Sequence, residues 1–194
     1  MKKGKPVVLP SVEQLEKELK REKYRRNYGR VLRSTVFTLV CVAAVAILVA
    51  MLFMPVLQIY GSSMTPCMDD GDIVVTLKRS EFQRGDVICL YYNNKILVKR
   101  VIAFPGEWVN LDADGNVYVN DQLIEEPYLE EKAFGEVNIE LPYQVPDGRL
   151  FVMGDHRATS ADSRNTAVGC VSEEQIVGRV LLRVWPFERF GWIE

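Results

Sequence analysis

The chain contains 194 residues, of which 48% are hydrophobic and 26% are charged, and its formal net charge is −2. This small net charge is the sum of two oppositely charged parts. Residues 1–33 carry 11 basic and 4 acidic side chains (net +7), and the remainder carries 13 basic and 22 acidic side chains (net −9). The four cysteines form no Cys-x-x-Cys pair and no zinc-type spacing, which argues against a disulfide framework and against a metal site.

The first predicted element is a short helix over residues 11–26. Ser11 is suited to cap it, and Gln14 stands at the capping-box position. Apolar residues recur on one stripe among charged residues, which is typical of a solvated or membrane-surface helix. We assign this helix to a basic N-terminal segment, residues 1–33.

A membrane-spanning helix is predicted over residues 34–55. No Asp, Glu, Lys or Arg occurs from Ser34 to Met68, and the stretch from Val36 to Phe53 is almost wholly apolar. That length suffices for the roughly 20 residues that a helix needs to cross a bilayer. The alternatives are a cleaved secretory signal and a buried core helix, both of which usually have shorter apolar runs.

The charge split predicts the orientation of the span. Basic residues beside one end of a membrane helix stay in the cytoplasm, so we expect residues 1–33 inside the cell and residues 56–194 outside it, in a single-pass protein of the plasma membrane. A basic segment such as residues 1–33 can also indicate nucleic-acid binding. Next to a membrane span it more simply sets topology and contacts the phospholipid membrane, so no nucleic-acid partner is expected.

Residues 56–194 are predicted to form one mainly β domain, a mostly antiparallel sheet or barrel-like fold. About 140 residues are enough for a compact core. Short β-branched or aromatic runs alternate with tight-turn pairs such as Asn93-Asn94 and Asp114-Gly115. Many short strands with little helix favour a barrel or a pair of packed sheets. The predicted strands lie at residues 73–75, 87–92, 96–98, 117–119, 149–153 and 180–184.

Two polar residues in this domain carry the strongest chemical signal. Ser63 lies in a Gly-Ser-Ser-Met-Thr-Pro stretch just beyond the span, and Lys99 lies in a predicted strand 36 positions later. Strand alternation puts Lys99 between two apolar neighbours, and desolvation lowers a lysine pKa, so its neutral amine can serve as the base for a serine nucleophile. Taken singly, the serine fits a simple turn and the lysine fits an exposed strand position.

A rival base is the only histidine of the chain, His156, which follows Asp155. A Ser-His-Asp triad would have to be built around it, and the count alone does not exclude one. The block from Gly154 to Arg164 contains small hydroxyl residues and alternating charges. Such a block can orient Lys99 and brace the site through buried ion pairs, or it can be a polar loop.

Five sequence blocks follow one another along the domain: 63–66 (Ser-Met-Thr-Pro), 71–74 (Gly-Asp-Ile-Val), 84–87 (Arg-Gly-Asp-Val), 99–107 (Lys-Arg-Val-Ile-Ala-Phe-Pro-Gly-Glu) and 154–164. In composition and order these blocks resemble those of the bacterial type I signal peptidases, and the resemblance covers residues 55–185. The resemblance implies a mostly β catalytic domain at the outer face of the membrane, which removes signal peptides from secretory preproteins with a Ser-Lys dyad. It implies no metal and no organic cofactor.

The resemblance also implies roles for individual residues. Ser63 is the expected nucleophile, Lys99 the general base and Ser160 the hydroxyl that orients Lys99. The expected oxyanion hole uses backbone N–H groups at Gly61 and Ser63, chiefly that of Ser63. The expected structural ion pairs join Arg100 to Asp155 and Arg164 to Asp162. The residues expected to line pockets for small substrate side chains are Leu57, Gln58, Ile59, Tyr60 and Val98.

Four positions depart from the family's commonest pattern. Gly61 stands where some relatives have serine, Cys67 replaces the usual threonine, His156 stands where asparagine is common, and Thr159 also differs. None of these changes removes the dyad, but they leave the bracing by the 154–164 block less well defined.

Two other classes of function fit the sequence less well. A noncatalytic membrane scaffold related to the family is disfavoured by retention of both Ser63 and Lys99. A LexA-like self-cleaving repressor shares the serine-lysine chemistry, but the membrane span and the lack of a DNA-binding helix pair in residues 1–33 argue against it.

Overall fold

The computed structural model describes residues 11–78, 81–93 and 95–193. Residues 1–10, which hold three of the basic side chains of the predicted cytoplasmic segment, and Asn94 of one predicted turn lie outside the described residues. The chain divides into two compact units between Val49 and Ala50. Each unit is described by itself.

One long helix, α1 (Val12–Phe53), contains both helical stretches predicted from the sequence. The predicted capping box is present: the Ser11 N–H donates to Gln14 Oε1 at 3.0 Å, and the Gln14 N–H donates to Ser11 Oγ at 3.3 Å. The short helix expected to end near residue 26 instead continues, because no proline interrupts residues 27–33. Two residues after α1 ends, Pro55 prevents its continuation.

Helix α1 is the one described helix that is long and apolar enough to cross a membrane. Its most apolar 18-residue window has a mean hydropathy of 3.0, and none of its residues is buried within the protein. An apolar helix with no protein surface covering it is the pattern expected of a bilayer-spanning segment.

The rest of the described chain is mainly β, as predicted. The predicted runs at 87–92, 117–119 and 149–153 coincide with observed strands, and the other three lie inside longer ones. The strands are β1 (Val56–Gln58), β2 (Ile73–Leu77), β3 (Val87–Tyr92), β4 (Lys95–Ala103), β5 (Trp108–Leu111), β6 (Val117–Val119), β7 (Gln122–Leu123), β8 (Tyr143–Gln144), β9 (Arg149–Met153), β10 (Val171–Ser172), β11 (Ile176–Trp185) and β12 (Gly191–Trp192).

These strands form two antiparallel sheets. In the described residues the larger sheet has the order β1-β2-β11-β3-β4-β9-β10, with β12 paired to β11, and the smaller sheet has the order β7-β6-β5-β8. Strand β4 is central: it pairs with β3, where Lys99 faces Ile88, and with β9, where Arg100 faces Met153. Strand β1 is at one edge of the larger sheet.

Two apolar clusters fix the parts of the fold that matter for the site. The Phe151 cluster joins the two sheets through Ile102, Val109, Val117 and Phe151. The Met64 cluster packs the segment that follows β1 against the larger sheet. It contains Ile59, Met64, Met68, Val74, Val87, Cys89, Val98 and Val180.

Candidate active site

Ser63 lies in a turn that is anchored on both sides by buried side chains. Met64 and Met68 are 1% and 0% exposed, and the Met68 N–H donates to the Met64 carbonyl at 2.9 Å. Before the turn, the Ile59 N–H donates to the Asp72 carbonyl at 2.8 Å. The two methionines thus hold the turn in the Met64 cluster.

Lys99 comes from β4 and meets this turn. Its Nζ atom lies 2.8 Å from Ser63 Oγ and 3.1 Å from Ser160 Oγ, within hydrogen-bond distance of both. The side chain is almost fully buried, at 1% exposure. The three residues singled out from the sequence as nucleophile, base and orienting hydroxyl are therefore in direct contact.

The ammonium form of Lys99 is disfavoured at this position. Burial is the largest effect and lowers the pKa of Lys99 from 10.5 to about 8, with Asp162 acting in the opposite direction and Arg164 adding to the decrease. Among the described residues no carboxylate forms an ion pair with Lys99, whose two hydrogen-bond partners are hydroxyl groups. A neutral amine can accept the proton of a serine hydroxyl at mildly alkaline pH.

The loop after β9 brings Ser160 to the lysine. The His156 N–H donates to the Ser63 carbonyl at 3.1 Å, and the Ser160 N–H donates to the His156 carbonyl at 3.1 Å. At Gly154 there is no room for a side chain, because a Cβ atom would overlap Ser160 Oγ and would lie 2.5 Å from the Ser63 carbonyl oxygen. The loop is therefore packed directly against both partners of Lys99.

Buried arginines brace this loop, and two of their pairs are those expected from the sequence. Arg100 donates to both oxygens of Asp155, at 2.9 and 2.7 Å, and Arg164 donates to both oxygens of Asp162, at 2.8 and 2.9 Å. Burial alone would raise the pKa of Asp162, but the hydrogen bonds and charge of Arg164 hold it below the ordinary value. The Asp162 carboxylate therefore stays charged at neutral pH.

A third buried pair was not found from the sequence. Arg157 donates to both oxygens of Glu126, at 2.5 and 3.2 Å, and both side chains are inaccessible to solvent. Its two members are 31 positions apart, and Glu126 lies in an irregular segment between β7 and β8. No periodic pattern or motif of the sequence connects them.

His156 is not placed to complete a triad in this structure. Its side chain is exposed, and its Nδ1 atom lies 2.8 Å from Thr159 Oγ1. The carboxylate of Asp155 is engaged by Arg100 rather than by the imidazole. Within the described residues, the hydrogen bond from His156 to Ser63 is made by the backbone N–H group of His156.

The two backbone groups expected at the oxyanion hole differ in their surroundings. The Gly61 N–H donates to Asp70 Oδ1 at 2.7 Å, so a role for Gly61 as an oxyanion donor would require that hydrogen bond to break. The Ser63 N–H has no acceptor among the described residues. Gly61 has a φ of +95°, a conformation that side chains of L-residues rarely adopt.

The residues expected to bind substrate lie together beside the turn. Leu57 packs against the Met64 cluster, to which Ile59 and Val98 belong. Gln58 and Tyr60 are exposed, and the Tyr60 hydroxyl donates to Gln58 Oε1 at 3.1 Å. Cys67, one of the sequence departures, is partly buried against the same cluster, and burial raises the pKa of its thiol despite the nearby Arg100.

No group of three or more His, Cys, Asp or Glu residues in the described part of the chain is arranged to hold a metal ion. The polar groups of the site are instead paired with one another. No buried side-chain nitrogen or oxygen in the described residues lacks a hydrogen-bond partner.

Comparison with known proteins places the chain in a family. Residues 32–185 match the profile of the family described as "Signal peptidase, peptidase S26". The chain belongs to this signal peptidase family. It is accordingly a serine endopeptidase of the type that removes signal peptides, and the matched region includes the membrane-length part of α1 and nearly all of the β domain.

Two sequence relatives agree with the family match. The chain is 35% identical over 164 residues to signal peptidase I U of Bacillus subtilis (strain 168), covering 78% of this chain and 87% of the relative. It is 37% identical over 152 residues to signal peptidase IB of Staphylococcus aureus (strain COL), covering 68% and 78%. A solved signal peptidase I from Enterococcus faecalis V583 has 28% identity, a TM-score of 0.45, and coverage of 52% and 97%.

Proposed function

We propose that this signal peptidase is anchored in the plasma membrane by α1 and cleaves secretory preproteins with a dyad of Ser63 and Lys99. The observation that carries the proposal is the 2.8 Å contact between Lys99 Nζ and Ser63 Oγ in a site that lowers the pKa of Lys99 to about 8. Serine needs a neighbouring base, and a neutral lysine meets that requirement.

The proposed reaction begins when the neutral Lys99 amine accepts the Ser63 proton. Ser63 Oγ then forms a bond to the scissile carbonyl carbon, and the carbonyl oxygen becomes an oxyanion. Lys99, now an ammonium, donates its proton to the leaving amine as the peptide C–N bond breaks. Water then releases the acyl group from Ser63 by the same proton transfers.

Ser160 keeps the amine of Lys99 directed at Ser63 throughout this cycle. The Ser63 N–H is the donor proposed for the oxyanion, since it has no acceptor among the described residues. Gly61 contributes an open approach to the site, because no heavy atom lies within 4 Å of where its side chain would begin. Its N–H group would join the oxyanion hole only after release from Asp70.

The substrate segment before the cut is proposed to lie along β1. This strand is at an edge of the larger sheet, and an extended peptide can add to such an edge through backbone hydrogen bonds. Small substrate side chains would then point toward the surface lined by Leu57, Gln58, Ile59, Tyr60 and Val98. No nucleic-acid partner is proposed.

The proposed topology has residues 1–33 in the cytoplasm, residues 34–55 in the bilayer and residues 56–194 outside the cell. The apolar helix and the basic residues before it support this arrangement. Exposed aromatic side chains near the C-terminus, including Trp185 and Phe187 with ring centroids 5.0 Å apart, are suited to a membrane interface.

The test of the function uses the full chain purified in detergent with a secretory precursor. Cleavage is expected after a site with small side chains at the first and third positions before the cut, and a Ser63→Ala variant should leave the precursor intact. Cleavage by the Ser63→Ala variant at the wild-type rate would disprove the proposed mechanism.

The topology is tested separately, with protease added to intact cells. The β domain should be digested while an N-terminal tag is protected. Protection of the β domain in sealed cells would overturn the proposed orientation.

A further inference from the structure

A short segment between β7 and β8 contacts two of the three buried arginines of the site. Both terminal nitrogens of Arg157 donate hydrogen bonds to the Glu126 carboxylate. The Arg100 guanidinium carbon lies 3.8 Å from the centroid of the Tyr128 ring. The Tyr128 hydroxyl donates to Glu126 Oε1 at 3.0 Å. Glu126 and Tyr128 therefore act as one unit that holds a carboxylate under one arginine and an aromatic face under the other.

Each of these arginines in turn holds the loop that contacts the dyad. Arg157 Nε donates to the Gly154 carbonyl at 3.0 Å, and the Arg157 carbonyl accepts from Arg164 Nη2 at 2.9 Å. Arg100 holds Asp155, the next residue after Gly154. The segment is thus connected to the loop at two consecutive residues.

The position of that loop fixes both hydroxyl partners of Lys99. A side chain at Gly154 would overlap Ser160 Oγ and the Ser63 carbonyl, so the Gly154 backbone packs closely against both groups. His156 also holds the Ser63 carbonyl through its N–H group at 3.1 Å. Displacement of the loop would change the distances from Lys99 to Ser63 and to Ser160.

We propose that Glu126 and Tyr128 are positioning residues of the dyad, which act through Arg157 and Arg100 to hold Ser63 and Ser160 against Lys99. This inference rests on the proposed function of Ser63 and Lys99. A buried ion pair contributes little net stability compared with apolar side chains, because desolvation offsets the attraction. Its two-oxygen geometry does fix the direction of the arginine.

The experiment measures kcat and KM for precursor cleavage by the full chain in detergent, well below the melting temperature of each variant. Glu126→Gln should lower kcat about 10–100-fold and Tyr128→Phe about 3–10-fold, with KM within about threefold of wild type, because misplaced reacting groups slow the chemical step. Glu126→Asp should recover part of the lost kcat, since it restores the charge.

Matched controls test whether the loss of any nearby carboxylate or tyrosine hydroxyl lowers kcat. Glu125→Gln removes a neighbouring exposed carboxylate. Tyr118→Phe removes a hydroxyl that donates to Asp112 Oδ2 at a distance of 3.1 Å and is not a partner of the dyad. Both controls should keep kcat within twofold of wild type.

A double variant, Glu126→Met with Arg157→Met, distinguishes positioning from support of the fold. Apolar replacement of a buried pair can preserve stability, so a folded double variant that still has low kcat supports positioning. Recovery of wild-type kcat by the double variant overturns the inference. If Glu126→Gln does not fold, Tyr128→Phe decides, and a kcat equal to that of wild type overturns the inference.

Ser63→Ala in the same assay distinguishes failure of the proposed dyad from failure of the positioning role. Full activity of Ser63→Ala refutes the proposed dyad itself. An inactive Ser63→Ala together with wild-type kinetics of folded Glu126→Gln and Tyr128→Phe refutes only the positioning role.

Discussion

The Phe151 cluster and the surroundings of Lys99 lie in the same β domain but bury opposite kinds of side chain. The Phe151 cluster is made of apolar residues from both sheets. Where β4 meets the loop after β9, seven charged residues are buried. They are Lys99, Arg100, Glu126, Asp155, Arg157, Asp162 and Arg164.

In the second region, buried arginines and carboxylates form ion pairs. Among the described residues, the three arginines form ion pairs with Asp155, Glu126 and Asp162. Lys99 has hydroxyl partners and no carboxylate partner among the described residues. The buried charges therefore balance when the Lys99 amine is neutral, and this is the form that a general base requires. The first region supplies stability, and the second holds a reactive amine.

The largest expected effect comes from removing the reactive groups of the charged region. Ser63→Ala and Lys99→Met should each lower kcat/KM by at least about 10⁴-fold, because they delete the attacking group and the base. Lys99→Arg should be equally inactive, since a guanidinium cannot accept the serine proton. Precursor cleavage measures the loss, and circular dichroism checks the fold. Activity of a folded Lys99→Met above one tenth of wild type would contradict the assignment.

A somewhat smaller effect is expected at Gly154. The Cβ atom of Gly154→Ala would overlap Ser160 Oγ and the Ser63 carbonyl, so kcat should fall about 10²-fold through displacement of the reacting groups. Gly191→Ala is the matched control, because no heavy atom lies within 4 Å of its added Cβ and its φ is not in the left-handed region. Equal kinetics for the two variants would show that the loop has room to adjust.

The stability of Lys99→Met tests the difference between the two regions. The unfolded chain keeps the Lys99 proton up to about pH 10.5, whereas the folded chain releases it near pH 8. Burying the ammonium therefore costs about 3 kcal/mol below pH 8, and the cost is lost as the pH rises toward 10.5. Lys99→Met should be more stable than wild type at pH 7, and this advantage should shrink at higher pH.

Truncation in the apolar region should have the opposite effect on stability. Val117→Ala, at a fully buried position of the Phe151 cluster, should lower the free energy of unfolding by about 1–3 kcal/mol while leaving kcat unchanged. Denaturant unfolding of both variants at several pH values measures these changes. A Lys99→Met variant that is less stable than wild type at pH 7 would show that the lysine stabilises the fold.

The smallest expected effect is at His156. His156→Asn should keep kcat/KM within about threefold of wild type, because the exposed ring contacts Thr159 and the backbone N–H that holds Ser63 is retained. The same precursor assay measures it. Loss of activity in a folded His156→Asn, together with an active Lys99→Met, would transfer the role of base to the histidine.

The sequence predicted the parts of this molecule that depend on local pattern. The runs at 87–92, 117–119 and 149–153 became strands because β-branched and aromatic residues between turns specify extended backbone. The two-residue strands, such as β7 and β10, were not predicted, since two residues cannot show an alternation. The continuity of α1 through residues 27–33 was also missed, because the apolar pattern changes there although the backbone does not.

The residues of the site divide in the same way, into those found in sequence motifs and those identified only by their contacts in the folded chain. Ser63, Lys99 and Ser160 were singled out from their motifs, and the structure brings them within hydrogen-bond distance. Glu126 and Asp70 gave no such signal. Their contacts to Arg157 and Gly61 arise only when segments without regular pattern fold against the site.

The dependence of kcat/KM on pH tests the central role of Lys99 most directly. The wild type and His156→Asn should both show activity that rises with pH through a midpoint of about 8, as the buried amine of Lys99 loses its proton. A midpoint near 6.5, the ordinary pKa of histidine, that disappears in His156→Asn would contradict the assignment of Lys99 as the base.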